Sequence, residues 1–261
     1  MAYFRIELYV NALRRQAFFD VMIPNDYRVD FPGAEPKRPE QPMKTLFLLH
    51  GYTGAAGNWV PEELSRKYNF AVVMPSAENS FYLNGLSTGH AFQTFVGEEL
   101  VDYVRRTFGL AQRPEDTYIM GMSMGGFGAL HTALAYPETF GKIGALSSAL
   151  IVHEIAAMQP GESNPVANYE YYRECFGDLA HVEESDSNPE TLVKKLLAAG
   201  KKLPEIYMCC GTEDFLIENN RAFHNFLDAQ GVEHIYEEGP GVHDMQFWSA
   251  YVQKIIPWMF G

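Results

Sequence analysis

One serine of this chain is surrounded by glycines. Ser123 lies at the centre of the stretch G-M-S-M-G, residues 121–125, and a predicted strand comes directly before it and a predicted helix directly after it. A serine held on a sharp strand-to-helix turn projects its hydroxyl outward, and the turn needs neighbours without side chains, which Gly121 and Gly125 supply. The spacing therefore predicts that Ser123 is a nucleophile for acyl transfer.

A serine hydroxyl becomes a nucleophile when a histidine removes its proton, and a carboxylate must fix the tautomer of that histidine. In hydrolases with this turn, the acid and then the histidine follow the serine along the chain. Of the eight histidines, His234 and His243 lie in the matching C-terminal region. His234 begins a predicted strand, whereas His243 lies in a glycine-rich loop from which a side chain can reach over the sheet edge to Ser123. His243 is therefore the predicted base.

Two acidic residues compete for the role of the acid. Glu213 and Asp214 follow directly after a predicted strand at 205–210, between the serine and the histidine in chain order. A carboxylate at the end of a strand is well placed to meet the other two side chains. Residue type and spacing leave the choice between Glu213 and Asp214 open.

Backbone N–H groups that can stabilise an oxyanion are expected in two places. The N–H of Met124 lies at the start of the predicted helix, where amides lack a helical partner. The second donor is expected in the loop after an early strand. The stretch LLHGYTGAAGNW, residues 48–59, fits because a strand ends at His50 and a glycine-bearing loop follows. The predicted donors are the N–H groups of Tyr52 and Met124.

Short apolar runs, separated by helical stretches, must position these groups. The runs are mostly continuous rather than alternating, as expected of strands covered on both faces. They lie at 45–50, 70–75, 117–122, 142–147, 205–210 and 234–238. Helices are predicted at 60–67, 91–107, 124–135, 218–229 and 246–256. This alternation predicts an α/β fold with a mostly parallel, doubly wound sheet.

The N-terminal part departs from this alternation. Residues 3–10 and 16–23 carry the pattern of two strands and predict an N-terminal antiparallel hairpin. The stretch 32–42 is rich in proline and charge, so it predicts an exposed loop between the hairpin and the main sheet.

A second departure covers residues 149–204, which we interpret as a short lid-like insertion. It is expected to be loop-like until a helix at 189–199, which Asn188 caps and Gly200 ends. The length of the chain favours one domain over residues 1–261 that carries this insertion.

Composition excludes several classes of function. The chain has 20 basic and 33 acidic residues, a formal net charge of −13, which would repel nucleic acid. No apolar run approaches the roughly 20 residues of a membrane span, and the N-terminus lacks an uninterrupted signal-peptide core. We therefore expect a cytoplasmic protein with no nucleic-acid or membrane partner. A homo-oligomer is compatible with the sequence.

The cysteines indicate neither a disulfide framework nor a metal site. Cys175, Cys209 and Cys210 are an odd number, and we interpret them as buried apolar residues. There is no CxxC pair and no HExxH motif to hold a metal. Because the chemistry expected of Ser123 uses only protein groups, we predict no metal and no cofactor.

Four motifs together resemble the esterase D type of α/β hydrolases over nearly the whole chain. They are HGYTG at 50–54 with a tryptophan beyond it, GMSMGGFGAL at 121–130, GTEDFL at 211–216 and GVHDMQFW at 241–248. The resemblance implies an α/β-hydrolase fold. It also implies Asp214 as the acid, because the acid of this family is the aspartate of a G-T-x-D-like segment. It further implies that the N–H groups of Tyr52 and Met124 line the oxyanion hole.

The resemblance also implies a substrate class. Members include carboxylesterases, tributyrin and acetyl esterases, feruloyl esterases and S-formylglutathione hydrolases. We therefore expect a serine carboxylesterase that cleaves short-chain acyl (acetyl, butyryl) or hydroxycinnamoyl esters of small molecules through an acyl-enzyme. Formylglutathione hydrolases resemble one another in an S-G-L-T-C-T stretch where this chain has HGYTGA, and they tend to carry histidines where Met122 and Phe127 stand here. A thioesterase of that type, or an acyltransferase, is the alternative.

Three aromatic residues near the motifs are candidates for substrate contact: Trp59, Phe215 and Trp248. Core packing is the alternative for each of them. A rival of another class is a catalytically silent binding protein that keeps the α/β-hydrolase fold. The intact serine, acid and histidine argue against it, since a scaffold freed from chemistry has no physical need for all three.

Overall fold

The computed structural model describes residues 1–24 and 42–261, and this part of the chain contains one eight-stranded sheet. The strands are β1 (Ala2–Val10), β2 (Arg15–Ile23), β3 (Lys44–Leu49), β4 (Phe70–Pro75), β5 (Thr117–Met122), β6 (Lys142–Leu146), β7 (Glu205–Gly211) and β8 (Ile235–Gly239). Their order across the sheet is β1-β2-β4-β3-β5-β6-β7-β8.

The direction of the strands matches the expectation from the sequence. β1 and β2 form an antiparallel hairpin, and β2 pairs antiparallel with β4. The strands from β3 to β8 are parallel to one another. The predicted hairpin and mostly parallel sheet are therefore confirmed. The exposed loop expected at 32–42 lies almost entirely outside the described residues.

Helices connect the parallel strands. They are α1 (Glu62–Tyr68), α2 (Phe92–Thr94), α3 (Leu100–Phe108), α4 (Met124–Ala135), α5 (Val152–Ala156), α6 (Tyr169–Phe176), α7 (Pro189–Ala198), α8 (Ile217–Ala229) and α9 (Met245–Phe260). A π-helical turn, Phe95–Glu99, joins α2 to α3, so the helix predicted at 91–107 is one continuous helical segment with an irregular turn inside it.

The sheet is buried on both faces. Along β3, Phe47 and Leu49 belong to one apolar cluster and Leu46 belongs to the other, as the two-residue repeat of a strand requires. Helices α3, α4 and α8 contribute to the first cluster, and α1 and α9 contribute to the second. Helices on both faces explain why the strands read as continuous apolar runs.

The segment between β6 and β7 is more helical than the sequence indicated. The prediction that residues 149–188 are loop-like was wrong, because α6 and a 3₁₀ helix, Leu179–Glu184, lie within this segment. The side chain of Asn168 caps α6 by accepting the N–H of Tyr171 at 3.0 Å. Phe176 on α6 packs against Phe127 on α4, with 5.6 Å between the ring centroids. Tertiary packing of this apolar face therefore stabilises α6, although the polar composition of the segment gave no indication of a helix.

The last helix is longer than expected. Its predicted end at residue 256 was wrong, since α9 continues past Pro257 to Phe260. A proline lacks the N–H that a helix interior needs, so a helix often ends before one. Packing supports the extra turn: the ring of Phe260 stacks on Phe70, with 4.0 Å between the centroids.

The predicted site residues follow the carboxyl ends of the parallel strands, which lie along one side of the sheet. Ser123 follows β5, Asp214 lies in the turn after β7, and His243 follows β8. Tyr52 lies in the loop after β3. In an open parallel sheet, ligands bind in the crevice outside the carboxyl ends of the strands. The fold therefore places all four positions where a site is expected.

Candidate active site

The turn that carries Ser123 has a backbone conformation that few residues adopt. Ser123 has φ 56° and ψ −121°, between the end of β5 and the start of α4. A Cβ on Gly121 would lie 2.1 Å from the carbonyl oxygen of Gly125, and a Cβ on Gly125 would lie 2.6 Å from that of Leu49. Both positions therefore require glycine, which explains the sequence around the serine.

Three side chains form one continuous chain of hydrogen bonds at the carboxyl edge of the sheet. The hydroxyl of Ser123 donates to Nε2 of His243 over 2.9 Å. Nδ1 of His243 donates to the carboxylate of Asp214, at 2.8 Å from Oδ2 and 3.0 Å from Oδ1. This order of groups lets the imidazole accept the proton of a serine hydroxyl while a carboxylate fixes its tautomer.

The carboxylate of Asp214 is completely buried and well hydrogen-bonded. Burial raises its pKa, but hydrogen bonds from His243, from the N–H of Leu216 at 2.9 Å and from the hydroxyl of Ser147 outweigh burial. The net result is a pKa of Asp214 below the usual value of an aspartate. The group therefore stays ionised at neutral pH and can stabilise an imidazolium beside it.

Glu213, the alternative acid, and His234, the alternative base, have other hydrogen-bond partners. The exposed Glu213 accepts the N–H of Gly241 over 2.7 Å, so it supports the loop that carries the histidine instead of bonding to it. His234 lies at the other end of β8, and its Nε2 faces His224 at 2.7 Å. Of the residues that the spacing left as alternatives, Asp214 and His243 are the two that are hydrogen-bonded to each other.

The loop after β3 lies against the serine turn. A Cβ on Gly51 would be 3.6 Å from Cβ of Ser123. Within residues 1–24 and 42–261, the N–H groups of Tyr52 and Met124 have no hydrogen-bond acceptor. Unpaired amides on the two sides of the nucleophile are what an oxyanion hole needs.

Neighbouring groups hold this loop in place. The N–H of Thr53 donates to the side chain of Asn79 over 2.7 Å, and the N–H of Gly54 donates to the Gly51 carbonyl over 3.1 Å. The ring of Tyr52 packs edge-on against Tyr171 of α6, with 6.0 Å between the centroids. The loop is therefore tied both to the segment after β4 and to the insertion.

His50 also fixes this loop, and sequence reasoning did not assign it a role. Its Nδ1 donates to the Gly51 carbonyl over 2.8 Å, and its Nε2 accepts the N–H of Ala77 over 3.0 Å. Burial lowers the pKa of His50, although the bond to Gly51 opposes the shift. The hydroxyl of Tyr82 donates to the His50 carbonyl over 2.9 Å. A neutral imidazole therefore joins two loops at the edge of the site.

Ser147 is a second residue that the sequence did not reveal. It follows β6, which lies between β5 and β7, and it has φ 44°. Its hydroxyl bonds to the buried carboxylate of Asp214 and accepts the indole N–H of Trp248 over 3.0 Å. The only signal in the sequence was a serine at the last position of a predicted strand, 142–147.

Two of the three predicted aromatic residues contact the histidine. The ring of Phe215 lies 4.6 Å from that of His243 and is 71% exposed. The buried ring of Trp248 lies edge-on to His243 at 4.9 Å. Trp59 packs against the core on the α9 face of the sheet. Of the two rings against His243, that of Phe215 is the exposed one.

Other expectations concern metals, cysteines and membranes. Among the described residues, the group of side chains placed to share one metal ion is His224, Asp228 and His234, which lies away from Ser123. Cys175, Cys209 and Cys210 are all free and buried, in agreement with the sequence. No helix within the described ranges is long and apolar enough to cross a membrane.

Known proteins resemble this chain along its whole length. The model of the family described as "Putative esterase" matches residues 11–259. An acetyl esterase of Caldicellulosiruptor saccharolyticus is 41% identical over 265 residues, which cover 99% of this chain and 98% of that protein.

Solved structures give the same result. The substrate-bound fluorophosphonate-binding serine hydrolase F of Staphylococcus aureus is 28% identical, with a TM-score of 0.84 over 100% of this chain and 98% of that one. The S-formylglutathione hydrolase of Staphylococcus aureus is 27% identical, with a TM-score of 0.82 over 100% of this chain and 99% of that one. The likeness confirms the α/β-hydrolase fold. With a serine, a histidine and an aspartate hydrogen-bonded at the edge of the sheet, the chain belongs to this esterase family and is a carboxylic ester hydrolase.

Proposed function

We propose that this enzyme hydrolyses short-chain acyl esters of small molecules through an acyl-enzyme on Ser123. The observation that carries the proposal is the hydrogen-bonded order Asp214, His243, Ser123, with 2.8 Å and 2.9 Å between the bonded atoms. The 41% identity to an acetyl esterase over almost all of both chains supports an acetyl or butyryl group as the acyl part.

The first half of the reaction forms the acyl-enzyme. Oγ of Ser123 attacks the ester carbonyl carbon while Nε2 of His243 takes its proton. The carboxylate of Asp214 stabilises the imidazolium, and the N–H groups of Tyr52 and Met124 bind the oxyanion. The imidazolium then gives its proton to the leaving alkoxide, so an alcohol departs and the acyl group stays on the serine.

The second half releases the acid. Nε2 of His243 accepts a proton from water, whose oxygen attacks the acyl carbonyl, and the same two amides hold the second oxyanion. The proton returns to Oγ of Ser123 as the C–O bond to the serine breaks. The exposed ring of Phe215, 4.6 Å from His243, is placed to contact the acyl or alcohol part.

A panel of esters tests the proposal. We expect hydrolysis of p-nitrophenyl acetate and butyrate, with weaker activity on feruloyl and long-chain esters. Ser123→Ala should lower kcat about 10⁴-fold or more, whereas the control Ser163→Ala, at an exposed serine of the insertion, should keep wild-type activity. A fluorophosphonate should add one label per chain in the wild type and none in Ser123→Ala. Hydrolysis that survives in Ser123→Ala would refute the mechanism.

A thioester hydrolase is the second candidate. The likeness to an S-formylglutathione hydrolase over the whole chain, at 27% identity, favours it. S-formylglutathione in the same panel separates the candidates, because a kcat/KM above that of the acetyl esters would make the thioester the better substrate. A competing alcohol in the assay detects acyl transfer as a second product. The cytoplasmic location stays a prediction.

A further inference from the structure

A second cluster of titratable side chains lies away from the catalytic ones. His224 and Asp228 are one turn apart on α8, and His234 directly precedes β8. One potential ligand atom from each lies within 4.8 Å of the other two. We propose that His224, Asp228 and His234, which we call the α8–β8 cluster, bind a single Zn²⁺ ion.

His234 is already arranged as a metal ligand. Its side chain is 2% exposed, so its orientation is fixed by packing. Its Nδ1 donates to the carbonyl of Val232 over 2.8 Å. That bond holds the proton on Nδ1 and leaves the lone pair of Nε2 free to face the cluster. Metal-bound histidines almost always have such a partner on the second ring nitrogen.

His224 completes a pair of nitrogens that face each other. Its Nδ1 lies 2.7 Å from Nε2 of His234, and its ring stacks on Tyr236 with 4.5 Å between the centroids. Without an ion, one proton is shared between these nitrogens. When Zn²⁺ binds, that proton moves to Nε2 of His224, so both rings stay neutral. Two nitrogens on one tetrahedral Zn²⁺ lie about 3.3 Å apart, which requires only a small opening of the pair.

Asp228 supplies the third ligand. One of its carboxylate oxygens lies within 4.8 Å of a ring nitrogen of each histidine. It turns from its 3.6 Å approach to Nε2 of His224, the nitrogen that keeps its proton, to reach an ion held between Nδ1 of His224 and Nε2 of His234. The side chain is 62% exposed, so it can turn toward an ion without disturbing the core. Two imidazoles and one carboxylate, with water in the fourth position, are a ligand set that Zn²⁺ accepts.

The surroundings favour a cation. A cleft of about 610 Å³ opens beside the cluster, and its lining includes Glu205 and Glu233 as well as Asp228 and His234. Glu205 pairs with Lys142 over 3.6 Å, so the carboxylates of Asp228 and Glu233 are the ones that favour a cation. Carboxylates around a cleft raise the local concentration of cations, and the net charge of −13 acts in the same direction.

The position of the cluster indicates a structural role. His234 precedes β8 and His243 follows it, so about 16 Å of strand separates this cluster from the catalytic edge of the sheet. The ion would join the C-terminal half of α8 to the start of β8. Asp214 lies in the turn before α8 and His243 lies in the loop after β8. The ion therefore stabilises the elements that position the site, without taking part in the reaction.

Metal content and thermal unfolding test the proposal. Protein without a polyhistidine tag is stripped with EDTA, given one equivalent of ZnCl₂ and dialysed. We expect about one Zn²⁺ per chain by plasma mass spectrometry and a rise in Tm of about 5 °C at a hundredfold excess of Zn²⁺ over Kd. Activity on p-nitrophenyl acetate at 25 °C should be the same with and without Zn²⁺.

Variants identify the ligands. His224→Ala and Asp228→Asn should each weaken Zn²⁺ binding at least about tenfold in calorimetric titrations, and at the same Zn²⁺ concentration they should reduce the rise in Tm by about half or more. The control is His181→Ala, which removes an exposed histidine that pairs with Asp178, and it should bind like the wild type. A wild-type chain that holds no Zn²⁺ after dialysis, or a His224→Ala variant that binds as tightly as the wild type, would overturn the proposal.

Discussion

The indole Nε1 of Trp248 donates a hydrogen bond of 3.0 Å to Oγ of Ser147. Ser147 in turn bonds to the carboxylate of Asp214, and the ring of Trp248 lies edge-on to His243 at 4.9 Å. The buried tryptophan therefore contacts the histidine directly and the aspartate through one hydroxyl. It is a positioning residue for both, although it does not touch the serine hydroxyl itself.

Trp248→Phe removes the N–H and keeps an aromatic ring against His243. We expect kcat to fall about tenfold with KM unchanged, because one buried hydrogen bond that orients Asp214 is lost. Steady-state kinetics with p-nitrophenyl acetate measure the effect. Trp258→Phe is the control. Trp258 packs beside Tyr207, near the start of β7, and so lies toward the end of the strands opposite the site. A wild-type kcat in Trp248→Phe would show that the hydrogen bond has no influence on the reaction.

Asp214→Asn tests the choice of the acid. The amide cannot stabilise an imidazolium and favours the wrong tautomer of His243, so kcat should fall about 10⁴-fold. The adjacent change Glu213→Gln should keep kcat close to wild type, because an amide oxygen can still accept the N–H of Gly241. Both variants are assayed on the same ester. Equal losses in the two variants would contradict the assignment of Asp214.

Gly121→Ala tests the packing of the serine turn. The new Cβ would lie 2.1 Å from the Gly125 carbonyl oxygen, so the turn must shift or the protein must unfold. We expect loss of fluorophosphonate labelling together with a lower Tm. Gly57→Ala is the matched control, because its Cβ would meet nothing nearer than the Ala55 carbonyl oxygen at 4.0 Å. Full labelling of Gly121→Ala would mean that the turn tolerates a side chain.

His131 makes the stability of the fold sensitive to acid. Burial lowers its pKa from 6.5 to about 4, although the carbonyl of Asp186, 2.7 Å from its Nε2, opposes the shift. Below pH 6.5 the unfolded chain binds a proton at this site while the folded chain stays neutral until about pH 4. Stability is therefore lost as the pH falls through this range, by about 2 kcal/mol at pH 5.

His131→Gln should remove this part of the pH dependence, since glutamine does not titrate and can still donate to the Asp186 carbonyl. Urea unfolding at pH 7 and pH 5 measures the difference in the free energy of unfolding. The exposed His181→Gln serves as the control and should keep the wild-type pH dependence. The same loss between the two pH values in His131→Gln and in the wild type would exclude His131 as the cause.

Local patterns in the sequence were sufficient to predict the sheet and the strand-to-helix turn that carries Ser123. Continuous apolar runs indicated strands covered on both faces. The glycines around Ser123 reflect a turn so tight that a Cβ on Gly121 would lie 2.1 Å from the Gly125 carbonyl oxygen. Chain order left His234 and His243, and the glycine-rich loop around His243 decided between them. The family motif was needed to choose Asp214 over Glu213. The catalytic roles of Ser123, Asp214 and His243, the oxyanion donors and the single domain over residues 1–261 stay predictions.

What the sequence did not reveal depends on contacts between distant residues. Ser147 and Trp248 are 101 positions apart, and His50 and Ala77 are 27 positions apart, so no local pattern indicates that they meet. Helix α6 was missed for a related reason. Its stability comes from Phe176 against Phe127, and neither ring marks a helix by its type or spacing.

The edge-on contact of Tyr52 with Tyr171 links a loop beside the nucleophile to the inserted segment. Tyr171 also donates its hydroxyl to the Asn79 carbonyl, and the side chain of Asn79 receives the N–H of Thr53. A swap of this insertion between related enzymes would therefore alter turnover as well as substrate preference. Chimeras in which Tyr52, Asn79 and Tyr171 come from the same enzyme retain these contacts. In chimeras that combine them from different enzymes, we expect the loop after β3 to be displaced.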